Sequence, residues 1–472
     1  MHLSAIRMFK YIRHLSCMAL LLPMSAAQAQ TVSNDDASRI VKALTDQLTD
    51  QYPFPEISAQ YKAALLKNEA AGQYFQLSEA ALGNKLTADL QATHKDVHLH
   101  VWRDTDRYKA LVAPHEHHRG NAADFDAELE ADRRGGYGYQ RVELDAATST
   151  AYINIPGGFK SSQEAFEMAA SAMGMAAYSQ HIVIDLRHNG GGSGQMGRFL
   201  ASYFYEPGNE QFYLNGFYKD RSKDIQEWTY PFVPGHHMPH AKLYVLVDHN
   251  TASASEGFAY AIQQLHRGTI VGDTTAGAGI AGGFHALGNN LIVFLPVKMV
   301  TAPNSTVGWE GTGVIPDVTS TGPAAWDAAK RLILKDIMAD TTDHVGQAAA
   351  QWRLEDDSST SLEGDVLKKK YAALVGTYNK GEVTITAVKE GLQWNRFENG
   401  KAPQHYALRE VKPDVITILE MNKEYGGPTC SRIYLQRDAA GHIESLIRKT
   451  IMTAGTIYTS PSPYLRSGGI AK

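Results

Sequence analysis

The sequence predicts a mixed α/β protein in which an α/β core lies between a helical N-terminal segment and a β-rich C-terminal segment. Apolar residues recur at helical spacing from about residue 34 to 94. Between about 150 and 340, short buried strands alternate with amphipathic helices, and after 365 short β-type runs are separated by turn residues. With 472 residues, the chain is long enough for two or three such domains.

The first 29 residues predict a secretory signal peptide. Basic residues at positions 7, 10 and 13 precede an apolar stretch at 17–24, and Ala27-Gln28-Ala29 forms a small-x-small cleavage site. The apolar stretch is shorter than the roughly 20 residues that a membrane-spanning helix needs. We therefore expect an exported protein, periplasmic or secreted, with no stable membrane span once the signal is removed. Only Cys430 would then remain, so no intrachain disulfide is expected.

Composition narrows the class of partner. Charged residues make up 20% of the chain and the net charge is −5. These values are ordinary for a folded protein and do not suggest a polyanion partner, so we expect no binding of nucleic acid.

Residues 30–95 are expected to form a helical cap. Ile40, Leu44 and Leu48 recur at i, i+4 and i+8, prolines at 53 and 55 interrupt the pattern, and a second helical set follows. The core is expected to span residues 96–340. It begins with alternating residues at 96–102, which predict a half-buried strand with His98 and His100 on one face.

Two histidine-rich segments, at 115–118 and 236–240, raise the question of a metal site. Imidazole is the commonest protein ligand for metals. Neither segment lies on a helix face with ligand spacing, and residues 103–140 are polar and loop-like. Solvated loops are the favoured interpretation, and no metal or cofactor is predicted.

Strands and helices alternate from residue 151 onward. A strand at 151–155 precedes a capping box at 161–164 and a helix to about residue 178. A second buried strand at 181–186 leads into the glycine-rich turn 187–194. This layout suits an anion cradle, although the turn matches neither the dinucleotide fingerprint nor the P-loop. The turn is either a tight connection only, or its N–H groups line a site.

The stretch 243–279 carries the strongest functional signal. A buried strand at 243–247 is followed by a helix whose apolar residues start at Phe258 and recur at i, i+3, i+4 and i+7. Ser253 therefore lies at a strand-to-helix turn. There its hydroxyl can face a cleft, and the free N–H groups of the helix start can bind developing negative charge.

The remaining segments complete the predicted organisation. A strand at 290–297 precedes the loop 308–317, which carries Glu310 among apolar neighbours, and a helix at 324–338 closes the core. Residues 341–364 are polar and are interpreted as a linker. Residues 365–472 are expected to form an antiparallel sheet or small barrel.

Five motifs in this order resemble the carboxy-terminal processing (tail-specific) serine peptidases. The resemblance is greatest to the subgroup of the tricorn core protease and the interphotoreceptor retinoid-binding protein modules. It implies a crotonase-like (ClpP/crotonase) core with Ser253 as the nucleophile. The motifs are Asp96-x-His98, Ile184-Asp185-Leu186-Arg187-x-Asn189-x-Gly191-Gly192, Thr251-Ala252-Ser253-Ala254-Ser255-Glu256, Val271-Gly272-Asp273-Thr274-Thr275-x-Gly277 and Glu310-x-x-Gly313-Val314-x-Pro316-Asp317.

The resemblance also indicates the base. Many members of the family use a lysine about 25 residues after the serine, but Ala278 stands there, which excludes the Ser-Lys version. The tricorn-like branch implies His98 as the base and Glu310 as its partner. A histidine can take the serine proton near neutral pH and return it to the leaving amine.

The oxyanion of the tetrahedral intermediate would need two donors. We expect these to be the N–H groups of Ala254 and Gly191. The subgroup has a serine between its histidine and glutamate, whereas this chain has Val97 at that position. Glu310 would then reach His98 directly or through water, or another hydroxyl such as Ser255 would connect them, with Asp96 in a supporting role.

The expected function is that of a secreted serine endopeptidase that forms an acyl-enzyme on peptide or protein substrates, without a cofactor. A non-catalytic module that binds an apolar ligand or a peptide on the same fold is the alternative. An esterase of related mechanism also stays open, although the Gly-x-Ser-x-Gly elbow is absent around Ser253. The sequence makes no prediction about the oligomeric state.

Overall fold

The structure is a computed structural model and describes residues 31–113, 129–358, 364–397, 402–419, 431–452 and 456–467. The predicted signal peptide, the histidines at 115–118 and Cys430 lie outside these ranges. The helices are α1 (Asn34–Gln51), α2 (Pro55–Ala70), α3 (Glu79–Thr93), α4 (Thr105–Val112), α5 (Gln163–Ala176), α6 (Gly194–Ser202), α7 (Ala254–Gln264), α8 (Ala325–Ala339), α9 (His344–Ser358) and α10 (Gly364–Lys370).

The strands form three sheets. Their bounds are β1 (His100–Arg103), β2 (Arg141–Asp145), β3 (Thr150–Asn154), β4 (His181–Asp185), β5 (Phe212–Tyr218), β6 (Ile225–Trp228), β7 (Lys242–Val247), β8 (Gly268–Gly272), β9 (Ile280–Gly288), β10 (Leu291–Thr301), β11 (Val318–Thr319), β12 (Gly376–Tyr378), β13 (Val383–Val388), β14 (Gly391–Arg396), β15 (Gln404–Lys412), β16 (Val415–Leu419), β17 (Ser431–Arg437), β18 (Ile443–Ile451), β19 (Ile457–Thr459) and β20 (Tyr464–Leu465).

The central sheet has the strand order β11-β8-β7-β4-β3-β2. Neighbouring strands are parallel except for β2, which pairs antiparallel with β3. Its side chains alternate between two buried faces, as expected for a parallel sheet covered by helices. Ile184 and Val245 face the core that contains α5, α6 and α7, whereas Val183 and Tyr244 face the core that contains α8.

The second sheet joins the N-terminal helices to the central core. Its order is β1-β10-β5-β6, and β9 pairs with the other edge of β10. Leu291, Val293 and Leu295 at the start of β10 pack into the core of the helical cap. Val300, near its end, packs into the main core beside the central sheet. Strand β10 therefore belongs to both cores.

The N-terminal segment is helical, as its apolar spacing predicts. Helices α1, α2 and α3 fill residues 34–93, and Ile40, Leu44 and Leu48 are buried in their shared core. Ser33 caps α1 because its hydroxyl accepts the N–H of Asp36 at 3.1 Å.

The antiparallel C-terminal sheet is also as predicted. Strands β12 to β19 pair in sequential order, and β20 pairs with β18. Trp394, Ile416 and Leu446 lie in its core together with Leu367 from α10.

Residues 341–364 do not form a plain linker, so that prediction is corrected. Helix α9 occupies most of this segment, and Trp352 is buried. Arg353 pairs with Asp145 of the central sheet, and Glu355 pairs with Arg432 of the C-terminal sheet at 2.7 Å. The polar composition reflects ion pairs on both sides of a packed helix.

The strand predicted at 96–102 is also corrected. Strand β1 begins only at His100, because the Asp96 carboxylate accepts the N–H groups of His98 at 2.9 Å and Leu99 at 3.2 Å and turns the chain there. The region 103–140, predicted to be loop-like, contains α4.

The histidines at 236–240 lie in a loop, where His237 Nδ1 contacts the Tyr205 carbonyl at 2.8 Å. Across the described ranges, no three His, Cys, Asp or Glu side chains are grouped so that they could hold a metal ion. None of the helices in these ranges has the length and apolar character needed to cross a membrane.

Gly272, at the end of β8, provides a test of the packing between β8 and β7. Its φ is +140°, and a Cβ there would lie 1.9 Å from the Val247 carbonyl oxygen. We expect Gly272→Ala to lower the free energy of unfolding by about 3 kcal/mol, because both strain and overlap must be relieved. Urea unfolding followed by tryptophan fluorescence measures this change.

The matched control is Gly283→Ala in β9. There no atom lies within 4 Å of the added Cβ and φ is not positive. We expect a change below about 1 kcal/mol, because the variant only loses backbone freedom in the unfolded chain. Equal effects of the two substitutions would contradict the packing described here.

Candidate active site

Ser253 lies at the turn between β7 and α7, as the sequence predicts. Its backbone angles are φ 54° and ψ −119°, a region that residues other than glycine rarely occupy. Such a conformation costs on the order of 1–3 kcal/mol and persists only when its surroundings enforce it. The turn leaves the serine partly exposed at the N-terminus of the helix.

The buried carboxylate of Glu256 enforces this turn. It accepts hydrogen bonds from Ser253 N at 2.7 Å, Thr275 Oγ1 at 2.5 Å, Gly277 N at 2.7 Å and Ala278 N at 2.9 Å. Burial raises the pKa of Glu256, and the four donors act in the opposite direction. The carboxylate joins the serine turn to the loop that follows β8.

The glycine turn packs directly against the serine turn. A Cβ on Gly191 would lie 2.7 Å from Ser253 Cβ, so only glycine allows this approach. The Gly191 N–H donates to Asn189 Oδ1 at 2.9 Å, and the Ala252 N–H donates to the Asn189 carbonyl at 2.9 Å. Asn189 therefore holds the two turns together.

The oxyanion donor predicted at Gly191 is consequently occupied by Asn189 in this structure. The next residue, Gly192, lines a cavity together with Ser253 and Ala254. Within the described part of the chain, the N–H groups of Gly192 and Ala254 donate to no acceptor. These two groups, rather than the Gly191 N–H, are free at the cavity.

The cavity beside Ser253 has a volume of about 130 Å³. Gly279 and Trp309, from the segments after β8 and after β10, complete the wall around Gly192, Ser253 and Ala254. The rest of the wall is formed by Gly194, Tyr213, Leu214, Glu227, Gly257, Ala278, Ala281, Lys298 and Val300.

Glu310 is anchored to the backbone of this wall. Its Oε2 atom accepts the N–H of Gly279 at 2.6 Å and the N–H of Ile280 at 3.1 Å. Burial and the negative charges of Asp96 and Glu256 raise the pKa of Glu310 to about 7. Its carboxyl group therefore changes charge near neutral pH.

Asp96 positions the backbone of His98. Its buried carboxylate accepts the Tyr52 hydroxyl at 2.8 Å as well as the His98 N–H. Burial lowers the pKa of the His98 imidazole, while the Asp96 charge acts in the opposite direction. The imidazole stacks on Phe294 of β10 with 5.3 Å between ring centroids, and its Nδ1 atom is buried without a hydrogen-bond partner in the described structure.

The predicted residues thus fall into two groups. The first group, Ser253 and Ala254, lines the cavity. The second group is Asp96, His98 and Glu310, in which the charge of Asp96 raises the pKa of both other residues. Among the described residues, no hydrogen bond joins the His98 ring to Ser253 or to Glu310.

Ser255 is not the connecting hydroxyl, so that suggestion is corrected. Its Oγ donates to the Asn189 carbonyl at 2.8 Å and to the Ala252 carbonyl at 2.7 Å, and the residue is fully buried. Its hydroxyl therefore stabilises the serine turn. Val97, at the position of the subgroup's serine, exposes an apolar side chain.

The sequence predicts no individual role for Glu256, Gly192, Glu227 or Lys298. The spacing Ser253-x-x-Glu256 is a capping-box signal that could have indicated Glu256. No local pattern indicates the ion pair of Glu227 and Lys298, because it joins two strands 71 residues apart.

A serine on a strained strand-to-helix turn, with two free N–H groups at a cavity, is typical of serine hydrolases. Comparison with known proteins agrees with this class. Residues 149–320 match the model of peptidase family S41, and residues 24–129 match the N-terminal domain of Peptidase_S41 in eukaryotic IRBP. These two matches confirm the resemblance to the S41 peptidases that is seen in the sequence.

Two curated relatives are similar over part of the chain. The chloroplastic carboxyl-terminal-processing peptidase 1 of Arabidopsis thaliana is 29% identical over 157 residues, which is 33% of this chain and 30% of that protein. A probable CtpA-like serine protease of Staphylococcus epidermidis is 29% identical over 145 residues, 30% of this chain and 28% of that protein. The chain thus spans less than a third of the length of these relatives.

Solved structures that are similar to this chain include a putative peptidase from Parabacteroides merdae. It is 20% identical, with a TM-score of 0.44, and the match covers 64% of this chain and 97% of the solved chain. The photosystem II D1 C-terminal processing protease is 15% identical, with a TM-score of 0.42, and the match covers 61% of this chain and 94% of the solved chain.

The pKa of Glu310 predicts a pH-dependent contribution to stability. Below pH 4.5, the ordinary pKa of a glutamate, the carboxyl is protonated in both the folded and the unfolded chain. The folded chain holds this proton more tightly, so its stability falls as the pH rises from 4.5 through about 7. Glu310→Gln removes the ionisation. We expect the unfolding free energy of the variant, relative to wild type, to increase by about 1 to 2 kcal/mol between pH 4 and pH 8, allowing for partial solvent screening.

Urea unfolding at several pH values measures this difference. Glu390→Gln, which alters an exposed glutamate, is the matched control, and we expect its difference from wild type to stay nearly constant. A Glu310→Gln curve parallel to that of wild type across the range would contradict the burial of an ionisable group at this position.

Proposed function

We propose that the chain is a secreted serine endopeptidase that hydrolyses peptide bonds through an acyl-enzyme on Ser253. One observation carries the proposal: Ser253 lines a cavity together with Ala254 and Gly192, whose N–H groups donate to no acceptor among the described residues. Two donors beside a nucleophile stabilise the charge that develops on a carbonyl oxygen during attack. The Arabidopsis relative, which is named a carboxyl-terminal-processing peptidase, supports a peptide or protein substrate.

In the proposed reaction, Ser253 Oγ attacks the carbonyl carbon of the scissile bond and loses its proton to His98. The carbonyl electron pair moves onto the oxygen, which accepts hydrogen bonds from the N–H groups of Ala254 and Gly192. Collapse of the intermediate breaks the C–N bond, and His98 returns the proton to the leaving amine. Water then loses a proton to His98 and attacks the acyl carbon. The ester bond to Ser253 Oγ breaks, His98 returns the proton to Oγ, and the carboxylic acid product leaves.

His98 is the proposed base because its environment favours the neutral imidazole. Burial lowers its pKa, so it stays able to accept a proton at neutral pH. Asp96 holds its backbone through the hydrogen bond to the His98 N–H, and the Asp96 charge stabilises the imidazolium that forms. The unpartnered Nδ1 atom is available for a bond to Glu310, made directly or through water.

The same proposal includes the finer fold class and the location. A crotonase-like core is supported by the parallel strands β3, β4, β7 and β8 with their crossover helices. Export to the periplasm or medium rests on the signal-like first 29 residues.

The alternative, a non-catalytic module that binds an apolar ligand, is less well supported by the cavity. At about 130 Å³ the space beside Ser253 is well below the roughly 300–1,000 Å³ of typical small-molecule pockets. It is large enough for one side chain of a peptide.

Ser253→Ala tests the nucleophile. We expect it to abolish covalent labelling by a fluorophosphonate and to reduce peptide hydrolysis by about 10³-fold or more, because only the oxyanion donors and binding remain. Intact-mass spectrometry and a fluorogenic peptide assay measure the two effects, and urea unfolding shows whether the variant stays folded.

Ser255→Ala is the matched control, since it alters the neighbouring serine of the same turn. Its hydroxyl faces the backbone of the glycine turn, so we expect labelling to persist despite some loss of stability. Undiminished labelling of a folded Ser253→Ala variant would refute the proposed nucleophile.

A further inference from the structure

On the premise of the proposed function, we propose that the cavity receives the substrate side chain on the acyl side of the scissile bond. We further propose that the ion pair of Glu227 and Lys298 restricts that side chain to uncharged residues of moderate size. The substrate class would be peptides with a residue such as leucine, isoleucine or methionine at the cleavage point.

The ion pair is part of the cavity wall. Glu227 on β6 and Lys298 on β10 both line the cavity with Ser253, and Lys298 Nζ lies 3.0 Å from Glu227 Oε1. Their side chains are only 18% (Lys298) and 23% (Glu227) exposed. Substrate entering the cavity would therefore meet both charges with little water between them.

Gly216 makes this pair possible. It lies on β5, the strand between β10 and β6, and a Cβ at this position would lie 2.7 Å from Lys298 Cδ. The missing side chain lets the lysine stem cross the strand to reach Glu227. The second sheet is thus built to bring these charges together beside the nucleophile.

Charge pairing explains why charged side chains would be excluded. Because each charge already has its partner, neither Glu227 nor Lys298 is free to serve as the counter-ion of a charged substrate side chain. A buried charge without a counter-ion is strongly unfavourable. Apolar groups of Leu214, Val300 and Trp309 form other parts of the wall and favour an aliphatic side chain.

Volume sets the size limit. A cavity of about 130 Å³ is slightly smaller than the roughly 150 Å³ that holds one benzene molecule in an apolar protein cavity. The side chains of leucine, isoleucine and methionine are smaller than benzene, whereas an indole is larger. The cavity therefore suits a medium aliphatic side chain.

Single substitutions in the pair should create opposite charge preferences. Glu227→Gln leaves the lysine unpaired, and Lys298→Met leaves the glutamate unpaired. The residue on the acyl side of the scissile bond is called P1. We expect Glu227→Gln to raise the ratio of kcat/KM for P1 glutamate to kcat/KM for P1 leucine by about tenfold or more. Lys298→Met should raise the ratio for P1 lysine to P1 leucine by a similar factor, since the substrate charge gains a charge-assisted contact in each variant.

The experiment uses three fluorogenic tetrapeptide amides that differ only in P1 leucine, glutamate or lysine. For the wild type we expect P1 leucine to be preferred about 100-fold over either charged residue. The double variant Glu227→Gln/Lys298→Met should regain a preference for P1 leucine because it carries neither charge. Lys330→Met, which breaks an exposed ion pair with Asp327 on α8, is the matched control and should leave the substrate ratios unchanged.

Fluorophosphonate labelling of Ser253, measured in parallel, separates the two proposals. Labelled wild-type protein with unchanged ratios in both single variants would overturn the assignment of the pocket alone. Loss of all labelling in folded Lys298→Met would overturn it too, since the lysine would then act as the base. Absence of labelling in the wild type would overturn the proposed function, and this proposal with it.

Discussion

The buried carboxylate of Glu256 is the interaction on which the site depends. It accepts the Ser253 N–H and so holds this residue, the proposed nucleophile, in a backbone conformation that is otherwise unfavourable. The same carboxylate accepts the Thr275 hydroxyl, whose oxygen in turn accepts the N–H of Val314. Through this chain of bonds, the serine turn, the loop after β8 and the loop of Glu310 form one unit.

Strand β10 adds the second group of residues to this unit. Its first half packs in the core of the helical cap, and Phe294 in the same half stacks on the His98 ring. Its second half carries Lys298 and Val300 into the cavity wall. The cap therefore does more than cover the core: by packing on β10 it positions the proposed base relative to the cavity. Asp96, bonded to Tyr52 of the cap, reinforces this link.

Features set by local periodicity could be predicted from the sequence. The turn at Ser253, the cap helices and the β-rich C-terminal segment follow from apolar spacing and were found as expected. The start of β1 at His100, which leaves His98 outside the strand, could not be predicted, because the Asp96 carboxylate competes for the backbone N–H groups that a strand would use. The choice between Gly191 and Gly192 depends on which N–H group Asn189 binds, and the spacing of glycines does not encode that direction.

Ion pairs between residues far apart in the sequence could not be predicted either. Helix α9 looked like a polar linker because its ion pairs with Asp145 and Arg432 are made to segments far away in the sequence. The pair of Glu227 and Lys298 requires strands β6 and β10 to flank β5, an arrangement that no local pattern specifies.

A crystal structure of the protein reacted with a peptidyl phosphonate shows directly whether Ser253 is the nucleophile. We expect a phosphorus atom bonded to Ser253 Oγ, with the phosphonyl oxygen about 3 Å from the N atoms of Ala254 and Gly192. The peptide side chain would fill the cavity next to Lys298. An adduct on another residue, or a phosphonyl oxygen bound by donors other than these two, would contradict it.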